Sequence, residues 1–218
     1  MPTDPTLDVE RELFAAGASC VIGVDEVGRG AIAGPVVVGV SVIRAVTDFP
    51  TGLRDSKLIS AKRRDALFEP VREWVSAVEL GEASATEIDE FGIVSALTRA
   101  GERAFAKLAI NGIDLTGGIV LLDGTHNWLK GGLVPALDIR VRAKADRDCA
   151  VVAAASVCAK VYRDNLMVCL AGEEDAYGWA SNKGYGSEGH FDAIRAHGAT
   201  PLHRTTWLRS VSQDDAGE

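Results

Sequence analysis

Gly23-Val24-Asp25-Glu26-Val27-Gly28-Arg29-Gly30 joins the end of an apolar run to a glycine-rich turn. The run begins at Cys20 and ends in two adjacent carboxylates, and an arginine between two glycines follows. Carboxylates at the end of a buried strand are unfavourable unless a cation meets them, and a divalent metal ion is the usual one. The glycines let backbone N–H groups approach a phosphate or a sugar closely. Metal binding beside phosphate binding indicates phosphodiester chemistry.

Composition limits the class of protein. The chain has 218 residues, 47% of them hydrophobic, which is enough for one domain with a substantial core. No apolar segment reaches the roughly 18 residues of a membrane span, and the N-terminal residues do not resemble a signal peptide. The four cysteines form no C-x-x-C pair and lie in apolar surroundings, so we predict reduced core cysteines in a cytoplasmic protein. The four histidines show no H-x-x-x-H spacing, which disfavours a zinc site.

The charge is unevenly distributed. A formal net charge of −8 argues against general, non-specific binding of nucleic acid. Between residues 140 and 164, however, six basic residues accompany three acidic ones. This region fits either a locally basic face that binds a polyanion or a solvated helix face, and the sequence leaves both open.

Hydrophobic periodicity predicts an α/β fold. The β-branched runs 20–24 and 36–43 flank a glycine-rich turn, which predicts an antiparallel pair of strands. Further strands are predicted at 75–80, 118–122 and 137–141, and helices after the cap Ser60 and over 93–110, 149–161 and 187–196. The five glycines of segment 172–189 predict a long functional loop. Antiparallel strands followed by strands that alternate with helices predict a mixed sheet.

Four carboxylates, Asp25, Glu26, Asp123 and Asp146, are candidate metal ligands. Asp25 and Asp123 each follow a short apolar run directly, and strand ends line the functional crevice of open α/β sheets. Asp146 lies between the last predicted strand and the Ala-rich helix, where it could join them. Such a cluster can hold two divalent ions about 3.5–4 Å apart. Hard oxygen ligands select Mg²⁺ or Mn²⁺.

Each carboxylate has a simpler interpretation when taken alone. A single Asp after a strand is commonly a turn former, and Asp146 competes with Asp148 as the cap of the following helix. Adjacent residues of a regular strand point to opposite faces, so Asp25 and Glu26 cannot both face one site from an unbroken strand. Either the strand is broken at Glu26, which we favour because Gly28 follows so closely, or Glu26 reaches a metal through water or its backbone carbonyl.

Nine motifs follow one another over residues 20–207. They are the octapeptide quoted above, Ala33-Gly34-Pro35, Asp55-Ser56-Lys57, Leu122-Asp123-Gly124, Lys144-Ala145-Asp146, Ala153-Ala154-Ala155-Ser156, Ala159-Lys160-Val161 with Arg163-Asp164, Asn182-Lys183-Gly184-Tyr185-Gly186, and His203-Arg204. Together they resemble ribonuclease HII, the bacterial type 2 ribonuclease H. Two departures are small: Ala31-Ile32 stands where Pro-Leu is common, and Trp207 where Phe is usual.

The resemblance implies a ribonuclease H-like fold, a five-stranded mixed sheet flanked by helices with a helical C-terminal extension. It implies an endoribonuclease that hydrolyses the RNA strand of RNA–DNA hybrids. It also implies cleavage 5′ to single ribonucleotides embedded in duplex DNA, leaving 5′-phosphate and 3′-hydroxyl ends. We expect a polar lead-in over residues 1–18, one catalytic domain over 19–210 and an acidic, disordered tail over 211–218, in a monomer.

Site residues are carried over motif by motif. The four candidate carboxylates become the catalytic ligands of two Mg²⁺ or Mn²⁺ ions. Gly28, Arg29 and Gly30 would form the loop that reads the ribose 2′-hydroxyl, the group that distinguishes a ribonucleotide from its deoxy neighbour. Tyr185 would pack on the deoxyribose that follows the ribonucleotide.

The resemblance also assigns Ser56 and Lys57 to contacts with the nucleic-acid backbone. A sliding clamp or a polymerase could recruit the enzyme, but no motif indicates which. Ribonuclease HIII is the nearest alternative, but only 24 residues precede Asp25, whereas that family carries a substantial N-terminal domain and typically lacks the arginine found here at Arg29. A catalytically silent hybrid-binding protein would need a replaced carboxylate. A polynucleotide transferase or resolvase would have no use for the 2′-hydroxyl loop.

Overall fold

A computed structural model describes residues 4–129, 137–173 and 175–208. Five strands form one mixed sheet, in the spatial order third, second, first, fourth, fifth. The strands are β1 Val21–Val27, β2 Val36–Ile43, β3 Ala77–Ala83, β4 Ile119–Asp123 and β5 Asp138–Arg142. The helices are α1 Asp8–Ala15, α2 Ala61–Trp74, α3 Ala85–Ile110, α4 Ala145–Asp148, α5 Ala150–Ala171, α6 Trp179–Asn182 and α7 Glu188–His197. Two 3₁₀ turns cover Ser56–Leu58 and Thr205–Trp207.

The pairing confirms the predicted mixed sheet. Strand β1 is antiparallel to β2, which is antiparallel to β3. On its other side β1 is parallel to β4, and β4 is parallel to β5. In that register Val24 is opposite Leu122, so Asp25 and Asp123 follow at the same carboxyl edge of the sheet. The sheet thereby brings together two carboxylates almost 100 residues apart in the chain.

Helices cover both faces of the sheet, and glycines allow them to come close. A Cβ added to Gly23 would lie 2.4 Å from the carbonyl oxygen of Val151 in α5, and one added to Gly81 would lie 1.9 Å from that of Ala100 in α3. The Ala- and Val-rich first half of α5 is therefore buried against β1 and β2. Small residues on both sides of this contact permit a packing distance that larger side chains would prevent.

The N-terminal segment is part of this packed unit. Leu7 and Leu13 lie in the core beneath α5, and Thr6 exchanges backbone hydrogen bonds with the turn that starts this helix. The carboxylate of Glu10, which is fully buried, accepts a hydrogen bond from the Val151 N–H at 2.9 Å. Packing is therefore continuous across the division that we predicted between residues 18 and 19. The predicted tail, 211–218, lies outside the described residues.

Glu10→Ala should destabilise the protein more than Glu10→Gln. The Glu10 carboxylate satisfies an N–H of the first turn of α5, the task of an N-cap side chain. Losing such a cap costs about 1–2 kcal/mol, whereas glutamine keeps an acceptor oxygen. Urea denaturation of the two variants and the wild type measures the difference, and equal losses in both variants would contradict the capping role.

Several local predictions need correction. Helix α3 begins at Ala85, eight residues before the predicted start, because Ser84 and Glu87 form a capping box there; Gly92, at φ +78°, then interrupts it. Segment 172–189 is not one long loop, since it contains the short helix α6. Cys169 is exposed, so only the other three cysteines are the buried thiols that we predicted. Within the described residues, no helix is both long and apolar enough to cross a membrane.

Candidate active site

Three of the four candidate carboxylates converge at the carboxyl edge of β1 and β4. Asp25 is near the end of β1, and Asp123 is the last residue of β4. The Asp123 Oδ1 accepts a hydrogen bond from the Ala145 N–H at 2.7 Å, which ties the start of α4 to the sheet. Asp146 is the next residue of that helix and is 4% exposed. Asp25, Asp123 and Asp146 therefore lie near one edge of the sheet, and their joint role as metal ligands stays a prediction.

Burial and neighbouring negative charge raise the pKa values of Asp25 and Asp146. Burial raises the pKa of Asp25 well above its usual range, and the neighbouring charges of Glu26, Asp123 and Asp146 raise it further. Burial and the Asp123 charge likewise raise the pKa of Asp146 to about 6. A site with such an excess of buried negative charge is one that a cation would stabilise.

Glu26 joins the site from an unbroken strand, so the strand break that we favoured is wrong. Strand β1 continues to Val27, with Glu26 opposite Val38 of β2. Burial raises the pKa of Glu26, the Arg29 guanidinium 3.2 Å away lowers it, and the charge of Asp123 raises it. Because Glu26 lies one residue from the end of the strand, its side chain interacts with Asp123 although regular alternation directs it away from Asp25.

Lys57 supplies positive charge beside the carboxylates. Its Nζ is 3.7 Å from the Asp146 Oδ2, while most of its side chain is exposed. Burial lowers the pKa of Lys57, but the nearby carboxylates, led by Asp25 and Asp146, outweigh this and raise it. Asp55 fixes the backbone of the turn by accepting a hydrogen bond from the Lys57 N–H at 2.9 Å. The turn thus holds an exposed cation at the rim of the site.

Ser56 occupies a different environment from its neighbour. Its side chain is buried, and its hydroxyl oxygen is 2.9 Å from that of Ser156 in α5. A hydrogen bond from Ser156 to Asp25 opposes the upward shift of the Asp25 pKa. Ser56 therefore supports the carboxylate site from inside, and its contact with nucleic acid stays a prediction.

The donor set fits a hard divalent cation. Four carboxylates offer only oxygen ligands. Burial, together with repulsion between carboxylates, raises the pKa values of Asp25, Glu26 and Asp146, and bound cations would relieve that cost. In the described part of the chain, no three His, Cys, Asp or Glu side chains are already arranged so that they could hold an ion.

Asp146→Asn should remove a pH dependence from the stability of the metal-free protein. The pKa of Asp146 rises from 3.8 to about 6 on folding, so the ionised carboxylate destabilises the fold. This cost in folding free energy is absent well below pH 4, grows as the pH rises from about 4 to about 6, and is complete above about pH 6. Relative to the variant in EDTA, the wild type should lose about 2–3 kcal/mol of unfolding free energy between about pH 4 and pH 7. Urea denaturation at several pH values measures the unfolding free energy of both proteins. A difference between them that stays constant from about pH 4 to pH 7 would contradict the prediction.

Two buried arginines lie behind the glycine loop: Arg204 holds the loop itself, and Arg163 holds the segment that follows it. The guanidinium of Arg204 donates to the carbonyls of Gly28, Arg29 and Gly34, at 2.7, 2.8 and 3.1 Å. That of Arg163 donates to the carbonyls of Pro35, Ala33 and Lys183, at 2.9, 3.1 and 2.8 Å. Both side chains are 0% exposed, and burial lowers the pKa of Arg204 to about 9. The loop is therefore fixed before any substrate arrives.

On the outer side of the loop, Arg29 and Gly30 are exposed. Tyr185 is also partly exposed, and the Arg163 guanidinium lies 5.5 Å from the centre of its ring. Gly184, beside Tyr185, accepts hydrogen bonds from the N–H groups of Ile32 and Ala33 in the loop. The structure thus connects the glycine loop, the predicted junction-sensing tyrosine and the carboxylates.

The sequence did not identify Arg163, Arg204 and Ser156 as functional side chains. Arg163 was counted within a basic surface, yet it is completely buried. The other basic residues there are largely neutralised, since Arg140 pairs with Asp138, Arg142 with Asp148 and Lys160 with Asp164. An arginine in the middle of an Ala- and Val-rich helix was the signal available, because a buried arginine requires several acceptors. Arg163 is therefore a buried structural residue, and Arg140, Arg142 and Lys160 are ion-paired.

Comparison with known proteins identifies the family. The family described as Ribonuclease HII matches residues 22–210. The chain is 44% identical over 209 residues to Ribonuclease HII of Streptomyces avermitilis, covering 95% of this chain and 85% of that protein. It is 45% identical over 215 residues to that of Streptomyces griseus, covering 95% and 86%.

Solved structures share the fold. The ribonuclease H2 of Pyrococcus horikoshii superposes with a TM-score of 0.68 at 26% identity, covering 91% of this chain and all of that one (100%). The RNase HII in the PCNA complex of Archaeoglobus fulgidus gives 0.65 at 25% identity, covering 89% and 99%. Bst-RNase HIII, solved with Mn²⁺, gives 0.67 at 21% identity, covering 94% and 72%, and shows the fold alone. The sequence match and the fold lead to one conclusion: the chain belongs to the ribonuclease HII family and is a type 2 ribonuclease H.

Proposed function

We propose that this enzyme, whose family hydrolyses the RNA of RNA–DNA hybrids, also cuts 5′ to single ribonucleotides embedded in duplex DNA. The supporting observation is the position of the carboxylates at the start of a glycine loop that Arg204 and Arg163 fix from inside. Reaction at a phosphate and recognition of the adjacent sugar can then take place within a few residues of each other. The products would carry 5′-phosphate and 3′-hydroxyl ends.

Asp25, Glu26, Asp123 and Asp146 would hold two divalent ions, Mg²⁺ or Mn²⁺. Two such ions activate a water and stabilise the leaving oxygen of a phosphodiester. The protein contributes the buried setting that strengthens these interactions, and the exposed Lys57 ammonium group, 3.7 Å from Asp146, would contact a substrate phosphate. Bst-RNase HIII was solved in complex with Mn²⁺, which is consistent with this metal class.

Gly28, Arg29 and Gly30 would read the ribose 2′-hydroxyl. A side chain at the glycines would keep the sugar away from the backbone, and the 2′-hydroxyl can both donate and accept hydrogen bonds. Rigidity matters here, since a loop already fixed by buried arginines loses little conformational entropy on binding. Arg29, exposed and paired with Glu26, also links the loop to the carboxylate site.

Tyr185 would contact the sugar that follows the ribonucleotide and would favour deoxyribose there. Its exposed ring can pack against a deoxyribose, where an additional 2′-hydroxyl would be excluded sterically and would be desolvated. We place the enzyme in the cytoplasm as a monomer acting on these nucleic-acid substrates. Recruitment by a sliding clamp is a further possibility, because a family member from Archaeoglobus fulgidus was solved in complex with PCNA.

The deciding experiment uses a labelled DNA duplex that carries one ribonucleotide, incubated with Mg²⁺, Mn²⁺ or EDTA. A metal-dependent cut on the 5′ side of the ribonucleotide is the expected result. Cleavage of a long hybrid without cleavage of this duplex would contradict the proposal and indicate specificity like that of ribonuclease HIII. Metal-independent binding without cleavage of either substrate would contradict the assignment of the carboxylates.

Tyr185→Ala should reduce cutting at a single embedded ribonucleotide more than cutting within a long RNA stretch. Only the first substrate places a deoxyribose directly after the ribonucleotide at the cleavage site, and loss of a contact with that sugar should cost roughly tenfold in kcat/KM. Tyr185→Phe, which keeps the ring, serves as the control and should retain the preference. Equal losses on both substrates in Tyr185→Ala would argue against junction sensing.

A further inference from the structure

A buried cluster of aromatic and imidazole rings lies behind Tyr185, away from the carboxylates. Its members are Tyr177, Trp179, His190 and His203. The rings of Tyr177 and Trp179 are stacked with centres 5.2 Å apart, and the Tyr177 ring meets that of His203 edge-on at 4.7 Å. His190 and His203 are 0% and 1% exposed. Two histidines so completely buried need defined hydrogen-bond partners.

The donors around these rings determine where their protons lie. The Thr200 N–H donates to the Nδ1 of His203 at 2.9 Å, so the proton of a neutral His203 is on Nε2. That Nε2 is 3.1 Å from the Nε2 of His190 and donates to it. The Trp179 Nε1–H donates to the same His190 nitrogen at 3.0 Å. The remaining proton of His190 is therefore on Nδ1.

The Nδ1 proton of His190 is directed at Tyr185, the residue predicted to sense the RNA-to-DNA junction. The Nδ1 of His190 is 2.9 Å from the carbonyl oxygen of Tyr185 and donates to it. The hydrogen bonds thus run in one direction, from Thr200 through His203 and His190 to the Tyr185 backbone. Burial lowers the pKa of both histidines, that of His203 to about 4, so both rings stay neutral and this direction is maintained.

The Tyr185 backbone is therefore held from two sides. On one side His190 holds its carbonyl, and on the other the neighbouring Gly184 carbonyl accepts from the loop residues Ile32 and Ala33. A Cβ on Gly184 would lie 2.4 Å from the Ala33 carbonyl oxygen, so the two segments are in direct contact. The position of the Tyr185 ring relative to the glycine loop thus depends on the two-histidine network.

We propose that His190, oriented by His203 and Trp179, is a positioning residue that sets the preference for an RNA-to-DNA junction by fixing Tyr185. The inference rests on the proposed role of Tyr185. It assigns no contact with substrate to His190, which is fully buried. Its effect should therefore be seen in the ratio of kcat/KM for two substrates, and not in cleavage chemistry common to both.

The experiment measures that ratio for a duplex with one ribonucleotide and for a long hybrid, in the metal-loaded full chain. His190→Phe keeps a ring of similar size but cannot donate to Tyr185, and should lower the ratio about tenfold, the effect of one lost hydrogen bond. His190→Asn places an amide N–H near the position of Nδ1 and should restore most of the ratio. Asp192→Asn, at an exposed position of the same helix, should leave it unchanged.

A double variant separates this inference from the role of Tyr185 itself. In a Tyr185→Ala background, His190→Phe should change the ratio no further. If Tyr185→Ala leaves the ratio unchanged, the junction role fails; if Tyr185→Ala changes it and His190→Phe does not, the positioning role alone fails. Where the Phe variant does not fold, ¹⁵N NMR of the wild type decides: the proposal requires protons on Nδ1 of His190 and Nε2 of His203, and the reverse tautomers would overturn it.

Discussion

Asp25→Asn should reduce cleavage of an RNA–DNA hybrid by about 10³-fold or more while making the metal-free protein more stable. Asparagine keeps the size of the side chain and an oxygen that can accept from the Glu26 N–H, 2.8 Å from Oδ1 in the wild type. It removes a buried carboxyl group whose pKa is raised by burial and by neighbouring carboxylates. Loss of activity together with a gain in stability is typical of a residue kept for function at a cost to the fold.

The measurement pairs cleavage rates with thermal denaturation in EDTA. Asp123→Asn should behave similarly in cleavage, since that carboxylate is at the adjacent strand end. Binding of the hybrid should change little, because the Asp25 carboxylate is buried and so does not face the nucleic-acid backbone. Asp192→Asn, an exposed carboxylate on α7, is the control and should cleave normally. Full-rate cleavage by Asp25→Asn would refute the metal assignment.

Gly28→Ala should destabilise the protein by roughly 3 kcal/mol or more. It should also slow cleavage, because the glycine loop would be less well ordered. Gly28 has φ +81°, a conformation that costs an L-residue energy. A Cβ there would also lie 2.0 Å from the Nε of Arg163. Arg163 cannot move away cheaply, because its guanidinium donates to three carbonyls while completely buried.

Gly30→Ala provides the comparison for stability. A Cβ at Gly30 would meet nothing within 4 Å, and the residue does not require a positive φ. Its unfolding free energy should therefore stay within about 0.5 kcal/mol of the wild type. Urea denaturation of both variants distinguishes strain at one glycine from a general effect of restricting the glycine loop. Equal stabilities would show that Arg163 does not constrain the loop.

Most of the fold could be predicted from local patterns. Apolar runs with β-branched residues identified the five strands, and the cap Ser60 and the helical periodicity that follows it located α2. The ends of two of those strands identified Asp25 and Asp123, because a carboxylate after a buried strand is unusual without a partner. The start of α3 was missed, since its capping box lies before a glycine that breaks the helical pattern.

The sequence by itself therefore determined the strands, the helices and the carboxylates, since each depends on neighbours close in the chain. Only the tertiary structure decided which polar side chains are buried and what they bind. Arg204 meets the Gly28 carbonyl across 176 residues, and Glu10 meets the start of α5 across 141. Burial of a charge is favourable only where distant acceptors or donors converge on it, and no local pattern records that convergence. For the same reason the strand through Glu26 stayed unbroken, because pairing with β2 outweighed the local preference of the glycines for a turn.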